Sequence, residues 1–216
     1  MLKSTLAVTA AGVLTLGLTA APAAADSIIG TDGNDRLHGT PRSDLMQGLA
    51  GNDRLRGALG NDLLFGGAGV DILYAGDRSD DTFNAGEGGP GNDLVVGGRG
   101  FTWMEGNEGD DGLNQGPFEE GGPDYGRGHD GDDLITLGKK PDGAEPDWGA
   151  DVVFMGAAND YVFVYPDGDK DFINCGRGER DVVELVDRRE RRDTLKNCEI
   201  VFVSGDNTAN DARWRQ

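Results

Sequence analysis

Residues 30–74 read GTDGNDRLH, GTPRSDLMQ, GLAGNDRLR, GALGNDLLF and GGAGVDILY, five nine-residue blocks that follow one another without a gap. Each block opens with Gly, has Asp at its sixth position and has a large apolar residue at its eighth. A period this regular indicates one small structural unit stacked on copies of itself. The stretch therefore predicts a solenoid.

Each block combines a Gly-rich six-residue turn with a three-residue strand. Glycine lets the turn backbone reach positive φ, and strand alternation points the apolar eighth residue inward. Two blocks make one coil with two strands packed back to back, so successive turns fall on opposite edges. We expect Asp35, Asp53 and Asp71 on one edge, and Asp44 and Asp62 on the other. The predicted fold is all-β, a parallel β-roll (a right-handed β-solenoid) of nonapeptide repeats.

Carboxylates on each edge would repeat at the inter-strand spacing of about 4.8 Å, where like charges repel. A divalent cation between neighbouring turns reverses the sign of that interaction. Calcium accepts about 6–8 oxygens in flexible geometry, whereas magnesium demands a tight octahedron. Zinc prefers imidazole and thiolate, and the chain has two His and two Cys. The spacing therefore predicts several Ca²⁺ ions, held by Asp carboxylates and backbone carbonyls.

Beyond Tyr74 the repeat continues with interruptions. One extra residue places Asp81 at the ligand position and Phe83 inside, and a later block has Thr102 where Asp is expected, which predicts a turn without a full site. The predicted metal-binding residues are Gly30, Asp32, Gly33, Asp35, Asp44, Gly51, Asp53, Gly60, Asp62, Gly67, Gly69, Asp71, Asp81, Asp93, Asp111, Asp133, Asp151, Asp160, Asp171 and Asp181.

Two insertions separate the later repeats, roughly Gln115 to Arg127 and Leu137 to Trp148, with one repeat at 128–136 between them. Insertions in a solenoid leave as loops on one edge, so these segments are either tolerated surface loops or a partner surface. Trp103 and Trp148 either cover gaps in the core or offer an aromatic platform. The predicted organisation is a leader at 1–25, an N-terminal roll at 26–114, loop-rich insertions at 115–148, C-terminal roll turns with a cap at 149–203, and a flexible tail at 204–216.

The N-terminus has the pattern of a secretory leader: Lys3, a short apolar segment, and three small residues that end at Ala25. The apolar segment is shorter than the roughly 20 residues of a membrane span. We therefore expect an exported, extracellular protein. In such a protein Cys175 and Cys198 would pair as a disulfide that pins the C-terminal cap; a pair of free buried thiols is the alternative.

The blocks resemble the RTX (hemolysin-type) calcium-binding repeat, whose pattern is GGxGxDxUx. Residues 66–74 (GGAGVDILY) match it in full, whereas Thr31, Thr40, Leu49 and Ala58 replace the second Gly and Arg42 the fourth. The resemblance implies a calcium-binding parallel β-roll. Because the leader is N-terminal, the chain is more similar to small secreted RTX-repeat proteins of Gram-positive, actinobacterial-like type than to members exported by a C-terminal signal. Its Cys175–Cys198 segment resembles their closing segment.

The composition narrows the function classes further. A formal net charge of −19 argues against a nucleic-acid partner, and the sequence has no HExxH, GxSxG or P-loop motif. We expect a monomeric, non-enzymatic calcium-binding protein that folds on export. The alternatives are an adhesion or matrix protein that displays the insertions to a cell-surface or polymer partner, and a hydrolase that carries a calcium roll.

Overall fold

The computed structural model describes residues 26–76, 83–116, 124–186 and 192–204. Within them the chain forms two parallel sheets. Odd-numbered strands make a ten-stranded sheet, the odd sheet, in the order β1 (Asp26–Ile29), β3 (Asp44–Ala50), β5 (Leu63–Ala68), β7 (Phe83–Glu87), β9 (Phe101–Glu108), β11 (Tyr125–Asp130), β13 (Gly143–Trp148), β15 (Tyr161–Val164), β17 (Val182–Val186) and β19 (Ile200–Ser204).

The remaining strands form a nine-stranded even sheet over the same described residues. Its strands have three residues each, in the order β2 (Arg36–His38), β4 (Arg54–Arg56), β6 (Ile72–Tyr74), β8 (Leu94–Val96), β10 (Gly112–Asn114), β12 (Leu134–Thr136), β14 (Val152–Phe154), β16 (Phe172–Asn174) and β18 (Thr194–Lys196). Each strand pairs with the strand two positions along the chain, so the fold is a β-solenoid, and the prediction of an all-β parallel β-roll is confirmed.

The core lies between the two sheets and has one inward residue for most short strands. In the even sheet the central residue is buried throughout β2 to β16: Leu37, Leu55, Leu73, Val95, Leu113, Ile135, Val153 and Ile173. Burial of a large aliphatic side chain contributes about 1.5–3 kcal/mol. Stacking repeats the gain in each coil, because every layer covers the next.

The odd sheet contains both large and small inward residues. Leu64, Gly86, Met104 and Gly126 are aligned in register on β5, β7, β9 and β11. A Cβ at Gly86 would lie 2.7 Å from Val95 Cγ1, and one at Gly126 would lie 3.0 Å from Ile135 Cγ2. The core therefore requires glycine at positions where the repeat pattern leads one to expect a large apolar residue.

Small inward residues explain why the prediction of loop-forming insertions was wrong. Residues 125–130 and 143–148 are strands β11 and β13 of the odd sheet, not loops. Their inward residues are Gly126 and Ala144, which carry too little apolar surface to mark a strand. Of the predicted first insertion, residues 117–123 lie outside the described structure.

The predicted inward placement of Phe83 was also wrong. Phe83 is 48% exposed, and its neighbour Asn84 is completely buried. The phase of the repeat resets at Asn84, which stands nine residues before Asp93, so Phe83 falls on the outer face. Asp81 lies outside the described residues, as do the predicted leader at 1–25 and residues 205–216.

The C-terminal end continues the two sheets. Strands β18 and β19 add the last members of the even and odd sheets, and Val201 and Val203 pack against the core from the second of these. Cys175 and Cys198 form the predicted disulfide. Ser204, placed at the start of the tail by the sequence, still belongs to β19. In the ranges described above, we find no helix with the length and apolarity needed to cross a bilayer.

Candidate metal centres on the two edges

Two rows of side chains, here called ladders, follow the two edges of the solenoid. Each member stands at the turn that leads into a strand. The even ladder leads into the even sheet and comprises Asp35, Asp53, Asp71, Asp93, Asp111, Asp133, Asp151, Asp171 and Asp193. The odd ladder leads into the odd sheet and comprises Asp44, Asp62, Asn84, Thr102, Asp124, Asp142, Asp160, Asp181 and Glu199.

One hydrogen bond recurs along both ladders. The backbone N–H of a ladder residue donates to the side-chain oxygen of the residue one coil further on. Examples are Asp53 N to Asp71 Oδ1 at 2.7 Å and Asp44 N to Asp62 Oδ1 at 2.9 Å. The amides concerned are buried, so an acceptor is required. The Oδ1 atoms therefore have a structural role that needs no metal.

The second carboxylate oxygen is left over in many of these residues. It is buried and has no hydrogen-bond partner among the described residues in Asp53, Asp62, Asp71, Asp93, Asp111, Asp124, Asp133, Asp151, Asp160 and Asp181. A buried polar oxygen without a partner is unfavourable by about 1–3 kcal/mol, and more when it is charged. An oxygen orphaned so regularly points to a ligand that would satisfy it.

Glycine at the first position of a turn leaves room beside six of these oxygens, those of Asp53, Asp62, Asp71, Asp93, Asp111 and Asp133. A Cβ at Gly48 would lie 2.2 Å from Asp53 Oδ2 and 2.3 Å from the carbonyl oxygen of Gly66, one coil on. The same pair of contacts surrounds Gly66, at 2.4 Å from Asp71 Oδ2 and 2.6 Å from Gly88 O. A carboxylate oxygen and a backbone carbonyl from adjacent coils thus converge on a space that any side chain would fill.

The electrostatics of the ladders oppose full ionisation. Burial raises the pKa of the Asp133 and Asp151 carboxyls to about 8, repulsion from neighbouring carboxylates adds to the rise, and hydrogen bonds from backbone N–H groups act against it. Burial likewise raises the pKa to about 7 in Asp62, Asp93, Asp124 and Asp160, and to about 6 in Asp111 and Asp142. A cation placed among these oxygens would favour their ionised form.

Acid should therefore stabilise the metal-free fold. A carboxyl whose pKa is higher in the folded chain favours folding at low pH, and this contribution is lost as the pH rises through the folded-state pKa. In chelator, we expect β-sheet circular dichroism to increase when the pH is lowered from 8.5 to 5, with a midpoint between pH 6 and 8 as set by the pKa values above. In millimolar Ca²⁺ this increase should disappear, because the ion already neutralises the ladders. Equal pH profiles with and without Ca²⁺ would contradict this expectation.

The structure gathers most of the predicted metal-binding residues on the two edges. Every predicted Asp except Asp32 and Asp81 is a ladder member, and the edges divide as expected, with Asp53 on one and Asp62 on the other. Asp32 and Gly33 are exposed. Gly30 has the two-oxygen environment described above, with Asp35 Oδ2 and Gly48 O each 2.7 Å from its Cβ position. Positive φ angles occur at Gly51, Gly60, Gly67 and Gly69.

Several ladder members were missed by the sequence reading. They are Asn84, Asp124, Asp142, Asp193 and Glu199. Asp124, Asp133, Asp142, Asp151 and Asp160 stand at nine-residue intervals. That interval was the signal available for two of the missed residues, but small residues at the inward position concealed it.

The donor set fits calcium. In the part of the chain that the structure describes, there is no group of three or more His, Cys, Asp or Glu side chains placed to hold a metal. A candidate site instead combines a carboxylate oxygen with a backbone carbonyl oxygen of the next coil. A purely oxygen donor set suits a hard, flexibly coordinated ion such as Ca²⁺ rather than zinc.

Comparison with known proteins gives the same result. A family model, described as the RTX calcium-binding nonapeptide repeat in four copies, matches residues 23–40, 38–73, 47–80, 57–89 and 87–114. No curated protein matches the chain. Residues 23–114 thus carry RTX nonapeptide repeats, a kind of repeat that binds calcium, and the parts of them that the structure describes lie in a β-solenoid. The coils from β11 onward continue the same two ladders.

Proposed function

We propose that this protein is a secreted calcium-binding β-roll that folds when it meets extracellular Ca²⁺. The observation that carries the proposal is the row of ten buried Oδ2 atoms without a hydrogen-bond partner in the described structure. Ca²⁺ would supply the missing partner and the positive charge together. Asp carboxylates and turn carbonyls would hold each ion between adjacent coils.

Folding and metal binding are coupled in this proposal. The oxygens of one site come from different coils, such as Asp53 Oδ2 and the carbonyl oxygen of Gly66, so a site does not exist in the unfolded chain and metal affinity becomes folding energy. Affinities typical of extracellular calcium modules, about 10⁻⁴–10⁻³ M, would leave the chain unfolded inside the cell. The ladder carboxylates then have a structural role, and we propose no catalytic role for them.

Calorimetric titration of the chain without its predicted leader tests the proposal. We expect several Ca²⁺ ions per chain, with binding heat and β-sheet circular dichroism that change together. Mg²⁺ at the same concentrations should produce neither change. Absence of calcium uptake by a chain with its disulfide intact would refute the proposal.

Secretion is a further part of the proposal. It is supported by the leader pattern before Asp26 and by the disulfide, since such bonds persist in oxidising compartments. Amino-terminal sequencing of the protein recovered from the culture medium should begin at Asp26. Recovery of an intact Met1 chain only from inside the cells would contradict it.

The outer face of the odd sheet favours adhesion as a second candidate function. Aromatic rings pair there: Phe83 stacks with Phe101 at 5.2 Å between centroids, and Trp103 stacks with Tyr125 at 4.4 Å. The rings of Tyr161 and Phe163 are tilted, with centroids 4.6 Å apart. Trp103 Nε1 donates to Glu105 at 2.9 Å, and the Tyr161 hydroxyl donates to Glu184. These contacts hold the rings in place on a half-exposed surface, which we call the aromatic face.

An extracellular polymer would bind this face through its aromatic rings. Co-sedimentation of the Ca²⁺-loaded protein with insoluble cellulose, chitin and peptidoglycan tests the idea. W103A combined with Y125A should abolish any co-sedimentation, whereas Y74A, which removes a similarly exposed tyrosine from the even sheet, should leave it unchanged. Equal binding by both variants would show that the aromatic face is not the binding surface.

A further inference from the structure

Twelve of the described turns fall into two classes that differ in one peptide unit. In an open turn, the residue four positions before the ladder Asp has positive φ, and the Oδ2 of that Asp has no hydrogen-bond partner in the described structure. In the open turns, the residue with positive φ and its ladder Asp are Leu49 with Asp53, Ala58 with Asp62, Gly67 with Asp71, Gly89 with Asp93, Asn107 with Asp111, His129 with Asp133, Asp147 with Asp151, and Gly156 with Asp160.

In a closed turn, the same residue lacks positive φ and its N–H donates to the ladder side chain. Thr31 N lies 2.6 Å from Asp35 Oδ2, and Thr40 N lies 2.6 Å from Asp44 Oδ2. Gly138 N lies 2.9 Å from Asp142 Oδ2. The fourth closed turn has Gly98 N at 3.2 Å from the hydroxyl of Thr102, which is not a carboxylate.

Rotation of one peptide unit accounts for the difference. In open turns this N–H points away from the carboxylate and toward the next coil, as in Gly67 N to Gly88 O at 2.9 Å and Gly89 N to Gly106 O at 3.1 Å. In closed turns the N–H occupies the lone pair that a cation would use and directs its partial positive charge at the same place. A backbone donor and a calcium ion therefore compete for Oδ2.

The side chain at this position decides how firmly a turn is closed. A β-branched residue is strongly disfavoured at positive φ, so Thr31 and Thr40 keep their turns closed. Their hydroxyls add a second donor, with Thr31 Oγ1 2.9 Å from Asp35 Oδ2 and Thr40 Oγ1 3.2 Å from Asp44 Oδ1. Gly138 carries no such restriction.

We infer that the backbone conformation of the residue four positions before each ladder Asp determines whether that turn takes up Ca²⁺, and that a β-branched residue there keeps the turn closed. This inference rests on the proposed function. The six open turns that also begin with glycine, from Asp53 to Asp133, bind the ion. The turns at Asp35 and Asp44 form without it, because threonine donors replace the metal. The first coil of the roll is thus independent of calcium, whereas the coils that follow require it.

Counting bound ions in matched variants tests the inference. A58T should close the turn at Asp62 and reduce the number of Ca²⁺ ions per chain by one, whereas A58G keeps positive φ accessible and should leave the number unchanged. In the other direction, T40G removes the barrier to positive φ, so that Ca²⁺ can open the turn at Asp44 and one ion is added. T40V keeps the β-branched side chain without the hydroxyl and should add none. The number of ions is read by native mass spectrometry in Ca²⁺.

The outcomes separate this inference from the proposed function. If the unaltered chain binds no Ca²⁺, the proposed function fails. If it binds Ca²⁺ but A58T and T40G both leave the number unchanged in chains with unaltered circular dichroism, the inference fails. Should A58T not fold, the comparison of T40G with T40V decides, because removal of the Thr40 side chain introduces no new contact. A gain of one ion in both T40G and T40V would also overturn the inference.

Discussion

Removal of calcium by excess chelator at pH 7.5 should convert most of the β-sheet circular dichroism of this protein into that of a coil. Ten buried carboxylate oxygens without a hydrogen-bond partner in the described residues line the two edges. Burial raises the pKa of Asp133 and Asp151 to about 8, so the metal-free ladders are poorly stable near neutral pH. The aliphatic core has only a single inward side chain per short strand. We expect that it does not offset the unfavourable burial of these carboxyl groups.

Readdition of Ca²⁺ should restore the spectrum, whereas Mg²⁺ or NaCl at equal ionic strength should not. Salt would restore order only if general screening of exposed charges were sufficient, and buried charges are screened much less than exposed ones. The Cys175–Cys198 disulfide must be kept oxidised throughout, so that its loss does not imitate the effect of metal removal. Identical spectra in chelator and in millimolar Ca²⁺ would contradict the coupling of folding to metal.

Substitution of a single even-ladder residue should separate the two roles of its carboxylate. Asp111 Oδ1 accepts the Asp93 N–H at 2.7 Å, and Asp111 Oδ2 has no such partner in the described structure. D111N retains the acceptor and loses the charge, so it should lose metal binding at this turn alone. D111A also leaves the Asp93 amide without an acceptor. This should destabilise the calcium-loaded fold by a further ~1–3 kcal/mol.

Urea unfolding in saturating Ca²⁺ measures this difference. The expected order of stability is wild type, then D111N, then D111A. D110N alters the exposed neighbouring carboxylate and should stay close to wild type. If D111N and D111A were equally stable, the hydrogen bond from the Asp93 amide would contribute little. If both matched D110N, the ladder would not stabilise the fold.

The sequence was sufficient to predict the regular part of this structure. Asp35, Asp53 and Asp71 were expected on one edge and Asp44 and Asp62 on the other, since the strand alternation follows directly from a nine-residue period. The ladder positions of Asp93, Asp111 and Asp133 followed from the same period once its phase was recovered. The pairing of Cys175 with Cys198 was expected from an exported chain with two cysteines.

The remaining errors have a common physical origin. The search for repeats relied on a large apolar residue at the eighth position, but Gly86, Gly126 and Ala144 occupy that position in β7, β11 and β13. Whether the core needs a large or a small side chain depends on what the facing strand supplies, for example Val95 opposite Gly86. This contact joins strands of the two opposite sheets, so the pattern of residues within one strand does not predict it.

The division into open and closed turns was likewise beyond the sequence reading. Thr31, Thr40, Leu49 and Ala58 all appeared as equivalent replacements of the second Gly. The backbone separates them, since Leu49 and Ala58 adopt φ of 83° and 78°, whereas the two threonines donate their N–H groups to the carboxylates. β-Branching distinguishes the two pairs, and it becomes informative only once the peptide orientation is known.

The ladder hydrogen bonds give the roll a direction. Each buried amide depends on a side chain that is translated later, so a nascent coil stays incomplete until its successor has emerged. For the ladder bonds alone, loss of a coil from the amino end would leave a side-chain acceptor without its donor, whereas loss from the carboxyl end would leave a buried N–H without its acceptor. The ladder bonds are therefore expected to tolerate truncation at the amino end better than at the carboxyl end, where Glu199 accepts the Asp181 amide at 3.0 Å as the last described member of the odd ladder.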